Sequence, residues 1–219
     1  MLKNIEAIIF DMDGVLVDSE PLHEKTAKMT LREYNIEIPA SEWEHFSGTT
    51  DWDMFTYIVK NFTDGNVSVE ELVAHRNKTY LEVAPKKIEM VKGAYDFIRQ
   101  IRQKGLKIAL TTSSTKDIQQ MVFNKFHLHR YFDAIITGDE IKHGKPHPEP
   151  YQKTVKKLGI APKNCLVIED STNGIKSAKA AGSIAVGITT SFPKKTLQNA
   201  GADYVVDTFQ ELSDIWNNV

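Results

Sequence analysis

The stretch Phe10-Asp11-Met12-Asp13-Gly14-Val15-Leu16-Val17-Asp18 decides the reading of this chain. An apolar run, Ile5 to Phe10, stops at two aspartates spaced i, i+2 and followed by a glycine. The run predicts a buried strand whose end delivers acidic oxygens into a loop. Clustered carboxylates repel one another and lose solvation unless a cation or a proton neutralises them. A hard cation such as Mg²⁺, which prefers oxygen ligands, is the natural neutraliser. A solvated Asp-rich turn would explain this segment alone, but three segments far off in sequence argue against it.

Outward from this stretch the pattern changes twice. A helix is expected from about Ser19, which can cap it, with Pro21 in the first turn. From there to about Lys87, apolar residues recur at helical spacing in Trp43 to Phe46, Trp52 to Phe62 and Val69 to Val83. Ser68-Val69-Glu70-Glu71 has the capping-box form and marks the start of the last of these helices. After Pro85, expected helices alternate with expected strands. The amphipathic stretch 95–103 stops at Gly105, and a strand is expected at 107–111. A helix from about Thr115 and a short strand at 134–137 follow. The segment 150–158 reads as a helix ended by Gly159, then a strand at 166–169, a helix at 175–181 closed by Gly182, and a strand at 184–188. A weaker strand at 204–206 and a helix at 209–216 finish the chain. This alternation predicts an α/β fold with a doubly wound, mostly parallel sheet covered on both faces. A lone first strand cannot stand outside that sheet. The core is therefore expected to be discontinuous, residues 1–17 with 88–219, and residues 18–87 to form an inserted all-helical domain.

Composition narrows the function classes. The chain has 219 residues, 41% hydrophobic and 26% charged, with a formal net charge of -2. No Lys/Arg block is long enough for a nucleic-acid footprint, and the pairs Lys156-Lys157 and Lys194-Lys195 read as solvated faces. The single cysteine, Cys165, excludes an internal disulfide framework, and its apolar neighbours Leu166, Val167 and Ile168 predict a buried, inert thiol. No leader pattern and no membrane-length apolar stretch is present, so a cytoplasmic, monomeric protein with no membrane or nucleic-acid partner is expected.

Ligands of open parallel sheets bind beyond the carboxyl ends of the strands. Here the first strand ends in Asp11 and Asp13, the second in Thr111-Thr112-Ser113-Ser114, and the fourth in Glu169-Asp170-Ser171. A further segment, Gly144-Lys145-Pro146-His147-Pro148-Glu149-Pro150, holds a lysine between a glycine and three prolines. Each piece has an ordinary explanation: hydroxyls cap helices, acidic pairs sit in turns, and lysines lie on surfaces. Taken together they make a site of acids, one cation and hydroxyls. The glycine fingerprint of dinucleotide binding is absent. His143 and His147 flank Lys145 without metal-ligand spacing.

This ordered set resembles the haloacid dehalogenase-like phosphatases, in particular the branch holding sugar-phosphate phosphatases and β-phosphoglucomutase. Asp11-Met12-Asp13-Gly14, Thr112, Lys145 in Gly-Lys-Pro-His-Pro, and Glu169-Asp170-Ser171 with Gly174-Ile175 and Ala180-Ala181-Gly182 carry the resemblance across the whole chain. It implies a Rossmann-like core with a helical cap and a Mg²⁺-dependent phosphatase acting on a small phosphate monoester through an aspartyl phosphate. In that reading Asp11 is the nucleophile and Asp13 the acid and base. Thr112, Ser113 and Lys145 bind phosphate, while Asp11, the Asp13 carbonyl and Asp170 hold the metal, with Glu169 ordering its surroundings. His23, at the hinge segment Ser19-Glu20-Pro21-Leu22-His23, matches a position that helps proton transfer in the mutases and is otherwise a hinge or substrate contact. Arg76 and Ser114 are further candidate contacts. Trp43, Trp52 and Phe55, at helical spacing, are expected in the cap's core. Mutases of the branch carry an arginine three residues after the glycine equivalent to Gly48. This chain has Asp51 there, which favours hydrolysis. A β-phosphoglucomutase-like phosphomutase is the alternative enzyme, and a non-catalytic ligand-binding protein on the same scaffold is the alternative from another class. Dehalogenation fits poorly, since carbon–halogen displacement gives Asp13 and Asp170 nothing to do.

Overall fold

In this computed structural model the described residues are 4–46 and 50–217. Six strands form one parallel sheet: β1 (Ala7–Phe10), β4 (Lys107–Thr111), β5 (Ala134–Ile136), β6 (Cys165–Glu169), β7 (Ile184–Ile188) and β8 (Tyr204–Val206). Their spatial order is β5-β4-β1-β6-β7-β8. Chain direction across the sheet therefore reverses beside β1, the switch point where parallel sheets open a crevice at their carboxyl ends. Register is fixed there by Phe10 opposite Leu110 on one side and Ile168 on the other. Every residue of β1 is inaccessible to solvent because both faces are covered. Ala7 and Ile9 pack with residues of α6 (Glu149–Leu158) and α7 (Thr172–Ala180), among them Tyr151, Val155 and Ile175. On the alternate positions, Phe10 meets Phe97 of α4 (Ala94–Gln103) at 6.2 Å and Phe209 of α9 (Phe209–Asn217) at 6.4 Å. Such ring pairs add about 0.5–1.5 kcal/mol each beyond the area they bury. Period-two alternation along one four-residue strand thus glues two helical layers together.

The chain divides into two compact units, Met1–Asp18 with Glu89–Val219, and Ser19–Ile88. In the first unit a two-residue antiparallel ribbon, β2 (Val17–Asp18) with β3 (Glu89–Met90), pairs the two crossing segments, Asp18 lying opposite Glu89. The second unit holds α1 (Glu20–Glu33), a 3-10 segment (Ala40–Phe46), α2 (Asp51–Phe62) and α3 (Val69–Lys87). Its core is Ala27, Leu31, Ile36, Met54, Phe55, Ile58 and Leu72, with Trp43 packed at the edge.

Several local expectations are corrected. Ser19 adopts helical dihedrals, so its hydroxyl does not cap α1 and is buried with no hydrogen-bond partner among the described residues. Trp52 is 49% exposed and is not part of the cap core. α3 runs through Pro85, because proline removes only one donor and the final turn is still closed by Ile88 N–H on the Ala84 carbonyl at 2.8 Å. The ribbon and α8 (Lys194–Asn199) have no counterpart in the sequence reading. Gly48, the glycine from which the mutase comparison counts, lies outside the described residues.

Cys165 lies in β6 with no solvent exposure, and its S–H donates to the Ala161 carbonyl at 3.6 Å. Burial pushes its pKa up to about 11, so the thiolate that alkylating reagents attack is scarce at pH 8. The native protein is expected to take up no iodoacetamide over an hour at that pH and one equivalent after unfolding. Rapid native labelling, read by mass spectrometry, would contradict this packing.

Candidate active site

Four loops at the carboxyl ends of the sheet build one cluster in the first unit. After β1, the chain turns tightly: Leu16 and Val17 both donate to the Met12 carbonyl, and Asp11 N–H stays tied to Ile168 of β6 at 3.0 Å. Gly14 has φ +72°, and a Cβ there would sit 1.9 Å from Asp170 Oδ2. Only glycine supplies both the turn and the clearance. After β4, Ser114 N–H folds back on Thr112 Oγ1 at 3.0 Å, while Ser114 Oγ donates to Asp13 Oδ2 at 2.6 Å. Ser114 was expected as a substrate contact; in the structure it tethers Asp13. Thr112 is buried and Ser113 is exposed at the same strand end.

Lys145 is brought in by its own loop. Glu149, at the start of α6, accepts backbone N–H bonds from Lys142 at 2.8 Å and His143 at 3.0 Å. The Lys142 bond, then Lys153, hold its carboxyl pKa down at about 2. Lys145 Nζ then lies 2.8 Å from Asp11 Oδ1, 2.7 Å from Glu169 Oε1 and 3.3 Å from the Thr111 carbonyl. An ammonium has three donors, and these three oxygens surround it, the Thr111 carbonyl at the longest distance. Burial opposes the charge on Lys145, but attraction to Asp11 and Glu169 outweighs it and raises its pKa above the usual value.

β6 delivers the remaining acids. Asp11, Glu169 and Asp170 are buried, and one oxygen from each can lie within 4.8 Å of the others. Burial first, then neighbouring Glu169 and Asp13, outweigh Lys145 and raise the Asp11 pKa to about 7. Asp170 is raised as well, by burial and then by Glu169 and Asp11. One lysine thus serves three buried carboxylates, and without a further cation protons must neutralise the rest, which is the direction in which Asp11 and Asp170 are shifted. A hard divalent cation would take the place of those protons in an all-oxygen, acid-rich cluster, and the residues fit a metal ion. Glu169 differs from its neighbours in being saturated. Its Oε1 faces Lys145 and the Tyr151 hydroxyl at 2.6 Å, and its Oε2 accepts from Ser171 Oγ at 3.1 Å.

Asp11, Asp13, Thr112, Ser113, Ser114, Lys145, Glu169 and Asp170 therefore all belong to the loops of one sheet end. His23 and Arg76 belong to the second unit and meet each other there. Arg76 is buried, contacts His23 Nδ1, and pairs with Asp51 Oδ2 at 2.9 Å, while His23 stacks on Tyr80 at 4.9 Å. Asp51 is thus a partner of Arg76, not a bare negative charge. Sequence reasoning missed Tyr151, Thr190 and Ser191. Thr190 Oγ1 donates to the Gly14 carbonyl at 2.6 Å and Ser191 Oγ donates to Asp170 Oδ2. The hydroxyl run Thr189-Thr190-Ser191 following β7 was a usable signal, alike in kind to the run after β4.

Buried acids, a buried lysine and hydroxyls at the switch point of a parallel sheet are the features by which this chain can be compared with known hydrolases. The sequence pattern of haloacid dehalogenase-like hydrolases matches residues 8–188, and the chain belongs to that family. It is 30% identical to a phosphorylated carbohydrates phosphatase of Thermotoga maritima, across 81% of this chain and 82% of that protein. It is 27% identical to a phosphoglycolate phosphatase of Salmonella typhi, covering 96% and 92% of the two chains. Among solved structures, a HAD hydrolase of family IA, variant 3, from Entamoeba histolytica superposes with a TM-score of 0.84 at 29% identity, covering 94% and 95%. No helix among the described residues is long and apolar enough to cross a membrane.

Proposed function

We propose that this chain is a Mg²⁺-dependent phosphatase that hydrolyses small phosphate monoesters, with phosphorylated sugars as its substrate class, through an acyl phosphate on Asp11. The observation that carries this is the pairing of Asp11 with Lys145 inside an acidic, oxygen-only cluster, with Asp13 held at the next loop position but one. The carboxylate of Asp11 attacks phosphorus and forms a P–O bond as the bond to the leaving oxygen breaks. Asp13, oriented by Ser114, gives that oxygen its proton and later takes one from the water that cleaves the aspartyl phosphate. Inorganic phosphate leaves and both acids return to their starting state. Thr112, the Ser113 amide and Lys145 steady the phosphoryl oxygens as charge spreads over them, each such donor lowering the barrier by about 3 kcal/mol. Asp11, the Asp13 carbonyl and Asp170 would hold Mg²⁺, with Glu169 beside them. When bound, the ion supplies the positive charge that lets a dianionic ester approach a carboxylate.

Released phosphate measured across sugar phosphates, nucleotides and phosphoglycolate tests this reading. Turnover is expected with Mg²⁺ and abolished by EDTA, with stoichiometric phosphate yield. Phosphate retained on a rearranged sugar would identify a mutase instead, and no turnover in either condition would overturn the enzyme reading.

A further inference from the structure

Tyr151 lies on α6 with no solvent exposure, within the apolar cluster beneath β1, β4 and β6. Packing alone would be served equally by phenylalanine. The hydroxyl, however, is not in apolar surroundings: it donates to Glu169 Oε1 at 2.6 Å. That same oxygen is 2.7 Å from Lys145 Nζ, and the ammonium stands 5.3 Å above the Tyr151 ring centre. Burial and the adjacent Glu169 charge raise the phenol's pKa, so it remains a proton donor throughout the neutral range.

We infer that Tyr151 is a positioning residue: its hydroxyl anchors Glu169, and Glu169 together with the aromatic face sets where Lys145 stands relative to Asp11. Three geometric facts converge on this. Glu169 is locked from both ends, by Tyr151 on Oε1 and by Ser171 on Oε2. Gly174 leaves the carboxylate the only space it can occupy, since a Cβ there would fall 1.9 Å from Glu169 Cδ. Lys145, finally, divides its donors between Glu169 and Asp11 at nearly equal distances. Without the phenol, the Oε1 charge has one donor fewer and draws Lys145 toward itself and away from Asp11. Tyr151 acts here through Glu169 and Lys145, the two groups its hydroxyl and ring contact.

This inference rests on the phosphatase reading for its kinetic consequences, and the test separates the two. In Tyr151→Phe, kcat is expected to fall about tenfold to hundredfold, the range for losing one hydrogen bond to a charged group. KM is expected to change less than about threefold, as fits a group remote from substrate. In a Glu169→Gln background the same substitution is expected to cost less than about twofold, because coupled residues are not additive. A second readout needs no turnover. The side-chain ammonium signal of Lys145 in ¹⁵N-lysine NMR of the metal-free protein, assigned with Lys145→Ala, is expected to shift in Tyr151→Phe. A Lys145 signal that stays put, or equal losses in both backgrounds, overturns the inference. A wild type that releases no phosphate from any ester overturns the proposed function, and the NMR comparison then decides the positioning role by itself.

Discussion

Replacing Asp11 by asparagine is expected to abolish phosphate release, by at least ~10³-fold, in a protein that still folds. Loss of a residue that forms the covalent bond removes a whole reaction route, and effects of this size are usual for nucleophiles. The fold should survive because the change is isosteric and relieves, not adds, buried charge. An asparagine oxygen can still accept from Lys145, which sits 2.8 Å from the present Oδ1. The tie from residue 11 N–H to Ile168 is main-chain and untouched. Circular dichroism and thermal unfolding should therefore match the parent while released phosphate drops to background. A variant that hydrolyses esters at the parental rate would end the case for a phosphate carried on residue 11.

Gly174→Ala is expected to be nearly as damaging although Gly174 performs no chemistry. An added methyl would lie 1.9 Å from Glu169 Cδ and Oε1 and 2.1 Å from Oε2. The whole carboxylate must move, and it is buried among Tyr151, Lys145 and Ser171. Overpacking of this kind costs about 2–3 kcal/mol of stability. Displacing Lys145 by even an ångström should slow turnover roughly 100-fold. Denaturant titration and phosphate release together read both effects. Retention of both stability and rate would mean that Glu169 does not occupy the position described.

Most of the site was legible in the sequence because its parts are contiguous strand-to-loop transitions. Asp11 and Asp13 follow an apolar run, Glu169 and Asp170 end another, and Lys145 sits in a proline-rich loop between two recognisable elements. The order of strands placed them at one sheet end. Tyr151 was invisible because its phenol acquires meaning only from a carboxylate eighteen positions on, across a helix–strand contact. Ser114 is a candidate contact by residue type, and nothing local in the sequence shows that Asp13 is its acceptor. Trp52 was misread because helical periodicity says which residues share a face without saying whether that face is covered. Ser19 was misread as a cap because residue type favours that role while dihedrals decide it. α8 escaped because, with Leu197 its one buried residue, six positions carry too little periodicity.

The pairing of Asp18 with Glu89 has an evolutionary corollary. Where a polypeptide departs and returns at neighbouring rungs of one ladder, whatever lies between behaves as a detachable cartridge. Substituting, shortening or enlarging it leaves the loops that carry Asp11, Lys145 and Asp170 wired to the same scaffold. Selection can then redraft the inserted helices while the sheet and its acidic loops stay as they are.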